Sequence, residues 1–169
     1  MTDTLTTPRL TLRRITMDDV PAMHAIFADA EVMAYWSRLP HTDIAETESW
    51  VAKNIAAVES GEADDFVVLK DGVIVGRIGI WQNSELGLLF ARSVWGTGVA
   101  REAAEALIQR SRVRGMISIM ADIDPRNEAS ARLLERLGFI REGVLRERWV
   151  IDGRVADSAL YGLLQADRR

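Results

Sequence analysis

The chain has 169 residues, 48% of them apolar and 27% charged, the proportions of one ordinary folded domain spanning 1–169. It has no cysteine and only two histidines, His24 and His41. That excludes a disulfide scaffold, a thiolate zinc site, an iron–sulfur cluster and a cysteine nucleophile, and it argues against any bound metal. The 21 basic residues, nineteen of them arginine, are dispersed among 25 acidic ones for a net charge of −4, so nucleic acid is not the expected partner. No leader-like start and no apolar run of the roughly 18 residues that span a membrane is present. The expected setting is cytoplasmic.

Residues Arg9 to Ile15 alternate polar and apolar after Pro8, the pattern of a half-buried strand. Asp18-Asp19-Val20-Pro21 then reads as a helix start, followed by Met23, Ile26 and Phe27 at helical spacing. Asp29 to Trp36 is expected to form another short helix. A longer one is expected from a Thr42 or Asp43 cap, through Trp50, Ile55 and Val58, to Gly61. Two strands, Phe66 to Lys70 and Val73 to Trp81, flank Asp71-Gly72, a pair suited to a two-residue hairpin turn. A third strand, Glu85 to Ala91, completes an antiparallel meander. Beyond it come a glycine loop, a helix from Val99 to Val113, and a strand from Met116 to Ile123. A helix from about Asn127 to Leu137 follows, and then two long strands, Phe139 to Ile151 and Arg154 to Leu164, about Asp152-Gly153.

The loop Trp95-Gly96-Thr97-Gly98-Val99-Ala100-Arg101 opens a helix. Glycines there let the backbone turn sharply, and the free amides of a helix N-terminus make an anion site. One reading is a dinucleotide-binding loop with Asp122 as the ribose acid. Against it, Arg101 stands at the third glycine position and the loop follows an antiparallel meander rather than opening a parallel sheet.

The loop resembles motif A of the GNAT acyltransferase superfamily, Q/R-x-x-G-x-G/A, with Gly98 and Ala100 matching and Trp95 where glutamine or arginine is usual. Asn127-Glu128-Ala129-Ser130, continuing to Leu137-Gly138-Phe139, resembles that family's N-x-x-S…L-G-F segment. Thr7-Pro8-Arg9-Leu10-Thr11-Leu12-Arg13, Asp29-Ala30-Glu31-Val32-Met33, Glu142-Gly143, Asp157 and Tyr161-Gly162-Leu163-Leu164 resemble the RimJ/RimL-type branch of ribosomal-protein N-terminal acetyltransferases. The implied fold is α+β: a mixed, mostly antiparallel seven-stranded sheet flanked by helices and splayed at the cofactor site.

The resemblance implies acetyl-coenzyme A as donor, a primary amine as acceptor, and direct attack of the amine on the thioester. The pyrophosphate would then sit on backbone amides of Trp95, Gly96, Thr97, Gly98, Val99, Ala100 and Arg101, aided by the helix dipole. Arg101 or Arg92 is expected to add a charged contact. Backbone groups of Leu88, Leu89 and Phe90 would meet the pantetheine arm, and Asn127 would contact the cofactor. Ser130 is the candidate acid for the thiolate, with Tyr161 in reserve. Glu85 is the candidate base, ahead of Glu142 and His41. Tyr35, Trp36, Trp81 and Trp149 are candidate walls of the acceptor pocket, and Asp43, Glu46 and Glu48 make the second helix acidic.

The acceptor is either a protein N-terminal amine or a small-molecule amine. A coenzyme-binding module without catalysis is the alternative. The final hairpin offers an edge for a homodimer.

Overall fold

The computed structural model describes residues 4–167. Eight strands and four α-helices follow in order: β1 (Thr4–Thr6), β2 (Leu10–Arg13), α1 (Val20–Phe27), α2 (Ile44–Ser60), β3 (Ala63–Lys70), β4 (Val73–Trp81), β5 (Leu86–Phe90), α3 (Val99–Val113), β6 (Ser118–Ile123), α4 (Glu128–Arg136), β7 (Ile140–Ile151) and β8 (Arg154–Leu164). The expected seven strands are all present. The additional one is β1, three residues paired antiparallel with β2.

The strands form two sheets, β1-β2-β3-β4-β5 and β6-β8-β7, antiparallel throughout. One isolated parallel bridge, Glu85 to Met120, joins them. Two antiparallel sheets joined at one parallel bridge, in place of the single seven-stranded sheet expected, are not the parallel array that a dinucleotide-binding loop would open. Helices α3 and α4 cover one face, where Phe66, Ile78, Leu86, Phe90, Leu107, Ala121 and Tyr161 are buried together. On the opposite face of the larger sheet, α1 and α2 close a second cluster around Phe27, Val51, Val67 and Leu89.

Local chemistry accounts for the element boundaries. Asp43 caps α2 by accepting from the Ala45 amide at 2.9 Å, and Glu46 reaches back to the Asp43 amide at 3.0 Å to complete a capping box. Gly61 ends that helix at φ +81°, a left-handed position that costs a glycine little. Asp71-Gly72 and Asp152-Gly153 both have positive φ at each position, the geometry that matches the twist of a two-residue hairpin.

One expected element is not helical. Residues 29 to 36 form successive turns, closed by Met33 N–H to Asp29, Ala34 N–H to Glu31 and Trp36 N–H to Met33. The Asp29 and Glu31 carboxylates are drawn instead to Arg92, both at 2.8 Å, which ties the turns to the residues after β5. His24 and His41 each place Nδ1 2.8 Å from the buried Thr47 hydroxyl, so α1, the intervening segment and α2 meet at one oxygen.

The start of α1 is anchored to β2. Arg13 grips the Asp19 carboxylate at 2.7 and 2.8 Å, and that bond, with a further one from the Thr16 amide, outweighs desolvation and holds the Asp19 carboxyl below its ordinary value. A carboxyl depressed in the folded state contributes stability that is complete above the unfolded value of about 3.9 and is lost as pH falls through the folded value. Asp19→Asn is therefore expected to remove part of the fall in urea midpoint below about pH 4, read by comparing midpoints between pH 7 and pH 3 in both proteins.

Candidate functional site

The site begins where the two sheets part. Met120 N–H donates to the Ser84 carbonyl at 2.9 Å beside the Glu85 bridge. Beyond that point β5 pairs only with β4, and β6 only with β8. A fork opens between them.

Backbone direction along β5 follows from two hydrogen bonds. The Glu85 carbonyl accepts from Trp81 N–H at 3.0 Å, and Ala91 N–H donates to the Val75 carbonyl at 2.9 Å. Odd-numbered residues of this strand thus turn their backbone groups to β4, and Leu86, Leu88 and Phe90 turn theirs to the fork. The expectation for the three residues narrows to Leu88 and Phe90. Leu89 is occupied on the β4 side and packs its side chain against the α1–α2 cluster.

The Phe90 carbonyl already has a partner. Trp95 folds its indole back and donates Nε1–H to it at 2.9 Å, tethering the loop to the strand end. The Trp95 side chain therefore serves the loop's shape. Gly96 and Gly98 stand at φ +73° and +82°, which aims the chain into α3. Because Gly98 is the N-cap residue and has no side chain, the first amides of α3 are left facing outward.

The charged neighbours of this loop differ from those expected. Arg101 pairs with Glu105 at 2.9 Å, one turn along α3, and Arg92 is held by Asp29 and Glu31. The guanidinium at the loop belongs to Arg9. It donates to the Thr97 carbonyl at 3.0 Å and to Glu102 at 2.6 Å. Burial disfavours ionised Glu102, but hydrogen bonds from Thr7 and Arg9 outweigh that and keep its carboxyl below the usual range. The Thr-Pro-Arg segment carried this signal only as part of a motif, since its partners lie some ninety residues away.

On the other arm, β6 runs through Asp124-Pro125-Arg126 into α4. Asn127 is the N-cap, its Oδ1 accepting from the Ser130 amide at 3.1 Å, which leaves its amide nitrogen and the half-buried Ser130 hydroxyl on the first turn. Tyr161 is buried on β8 between Ala121 and Arg141 and opens onto a pocket of about 230 Å³ against Ala131, Arg132 and Glu135 of α4.

Glu85 is half-buried and accepts from the Asn83 amide at 2.9 Å. Residues paired across strands share a face, so Glu85, Met120 and Gly162 lie on the side away from α3 and α4. Trp149 joins this face, its indole donating to Ser158 at 2.9 Å, while Tyr35 lies beside Arg126. Trp36 packs into the α1–α2 cluster. His41 is buried and stacked on Phe27, its imidazole held below its usual value chiefly by desolvation. It serves the α1–α2 joint. Among the described residues no group of side chains is arranged to hold a metal ion, and no helix is long and apolar enough to cross a membrane.

A split antiparallel sheet with a glycine-opened helix at the fork is an acyltransferase architecture, and comparison makes the assignment specific. A family model described as the acetyltransferase (GNAT) domain matches residues 9–140, and the chain belongs to that family of N-acetyltransferases. It is 29% identical to the uncharacterized N-acetyltransferase p20 of Bacillus licheniformis, covering 98% of both chains. It is 25% identical to the spermidine N(1)-acetyltransferase of Vibrio cholerae, covering 94% of both. The solved structure of RimL, a ribosomal L7/L12 α-N-protein acetyltransferase in complex with coenzyme A, shares the fold with a TM-score of 0.82 at 21% identity, over 95% of this chain and 96% of that one. Coenzyme A there is joined to the protein by a cysteine disulfide, a bond this cysteine-free chain cannot make.

Gly98→Ala is expected to lower stability by about 1–2 kcal/mol, because alanine resists the left-handed region. Its Cβ would meet only the Arg9 guanidinium at an ordinary 3.4 Å, so the cost is conformational. Thermal unfolding of the purified variant measures it.

Proposed function

We propose that the fork binds acetyl-coenzyme A and that the protein transfers the acetyl group to a primary amine by direct attack. The observation that carries this reading is the parting of β5 from β6 with the Leu88 backbone turned into the gap and the uncapped amides of α3 at its end. An extended amide-bearing arm fits such an edge as an added strand would, and a pyrophosphate fits the helix terminus. RimL, which shares this fold, is solved in complex with coenzyme A, in keeping with coenzyme A as the ligand.

The donor supplies an acyl group already activated as a thioester, so the chain needs neither a metal nor a nucleophile of its own. Leu88 N–H is directed at the carbonyl oxygen on which charge grows in the transition state, where a preorganised donor is most effective. The amides of Gly98, Val99, Ala100 and Arg101 hold the pyrophosphate, with Arg9 adding positive charge at Thr97. Glu85 takes the proton of the incoming ammonium, directly or through water. Ser130, on the turn capped by Asn127, returns a proton to the departing thiolate. Tyr161 is the second candidate for that step. The acceptor arrives on the Glu85 face, opposite α3 and α4. The spermidine enzymes and the α-N-protein enzyme among its relatives imply one shared feature, a protonated primary amine. A reducing cytoplasmic setting accords with the cysteine-free composition.

Acetyl-coenzyme A at about 100 times its dissociation constant is expected to stabilise the protein by about 2.7 kcal/mol, with no such effect from NAD. Glu85→Gln and Ser130→Ala should each lower kcat by about a hundredfold while leaving coenzyme affinity unchanged, as read by thiol release and by titration. Unaltered turnover in both variants overturns the mechanism. Binding without turnover on any amine leaves a coenzyme-binding module.

A further inference from the structure

A bulge in β7 places a carboxylate on the face where the acceptor arrives. Between Arg141, paired with Tyr161, and Gly143, paired with Leu160, the register slips and Glu142 is left without a partner on β8. Bulges re-aim side chains, and here the Glu142 side chain lies flat across Gly162, where any Cβ would fall on its carboxyl group. Gly162 is the cross-strand neighbour of Met120, which is bridged to Glu85. Glu85, Met120, Gly162 and Glu142 thus form one row across the junction of the sheets. Two strand intervals separate the Glu85 position from the carboxyl of Glu142, about 10 Å.

The larger sheet holds an arrangement of the same form with a different outcome. There Asp65 lies across Gly79, and its charge is met by Arg77, both side chains being almost wholly buried. Burial lowers the Arg77 value to about 10, and it stays charged at neutral pH. Glu142 has no such partner: among the described residues its side chain makes no ion pair and no hydrogen bond, in a chain with nineteen arginines. Arg141 beside it pairs with Tyr161 and lines the pocket on the α4 side. Glu142 is exposed on the Glu85 face of the sheets, its carboxylate facing solvent with no protein cation beside it among the described residues.

We infer that Glu142 is a specificity-determining residue that holds a second cationic group of the acceptor, about 10 Å across the strands from the Glu85 position. The acceptors favoured are diamines or polyamines over monoamines. This rests on the reading of the fork as an amine acetylation site and deepens it. Glu142, the second candidate base read from the sequence, lies about 10 Å from the Glu85 position, and on this inference Glu85 alone takes the proton while Glu142 moves neither proton nor acetyl group.

The test compares spermidine and α,ω-diamines with n-alkylamines of equal chain length in the thiol-release assay, together with the KM for acetyl-coenzyme A. The wild-type protein is expected to favour the diamines about tenfold in kcat/KM, equivalent to a single charge-assisted contact, and less at high salt. Glu142→Gln should abolish that preference by raising KM for the diamine, with kcat/KM for the monoamine and KM for acetyl-coenzyme A unchanged. Gly162→Ala should do the same, because its methyl group displaces the flexible end of Glu142, and Glu142→Asp should restore part of the preference. Absence of a diamine preference in the wild type, its persistence in Glu142→Gln, or equal loss on both amine classes overturns the inference and leaves the acetyltransferase reading standing. Failure of the wild type to acetylate any amine overturns both.

Discussion

A single bridge between Glu85 and Met120 determines where everything else in the site can be. Strands of one sheet normally keep their backbone groups paired along their length, because an unmade hydrogen bond is costly wherever water is excluded. Here β5 and β6 touch at one end and then separate, each held on its far side by an antiparallel neighbour. The separation is thus a product of ordinary pairing elsewhere, and it exposes a strand edge in the middle of the molecule. The glycine loop, α3 and α4 all enter at the open end. Glu85 sits at the closed end, where the two arms are fixed relative to each other.

The chain uses its arginines to hold this arrangement from outside. Arg92 ties the turns after α1 to the segment that follows β5, and Arg9 ties the N-terminal strands to the first turn of α3. Asp64 gathers Arg14, Arg110 and Arg114 behind the larger sheet, joining β3 to α3 and to the segment after β2. Individually such pairs contribute little when exposed, but those reaching across long sequence separations restrict how the elements can move relative to the fork. Among the described residues Glu85 and Glu142 form no ion pair, and both lie on the face of the junction away from α3 and α4.

Much of this was legible locally. Asp-Gly pairs announced both hairpin turns, Asp43 and Gly61 bounded α2, and the glycines before Val99 located the loop. Those features depend on the backbone preferences of two or three neighbouring residues. The misread segment at 29 to 36 has helical spacing, yet its acids are captured by Arg92, some sixty residues later. β1 is too short for periodicity to reveal and exists through its pairing with β2. Arg9 at the loop, the alternation that selects Leu88 over Leu89, and Glu142 on Gly162 all require the register of strands that meet only in the fold.

The β7 bulge also bears on what the chain does before and beside its chemistry. β7 is twelve residues long and lies at the edge of its sheet, with Val144, Val150 and other apolar side chains exposed. A straight edge of that length would invite another chain to add to it. Two irregularities, at Glu142 and again between Leu145 and Trp149, leave Gly143 to Leu145 as the unbroken stretch between them, and Glu147 at φ +53° turns its amide to Asp157 instead of outward. Straightening β7 would give the folded protein a long, regular edge open to strand addition by a second copy, an aggregation-prone margin that its present crookedness denies.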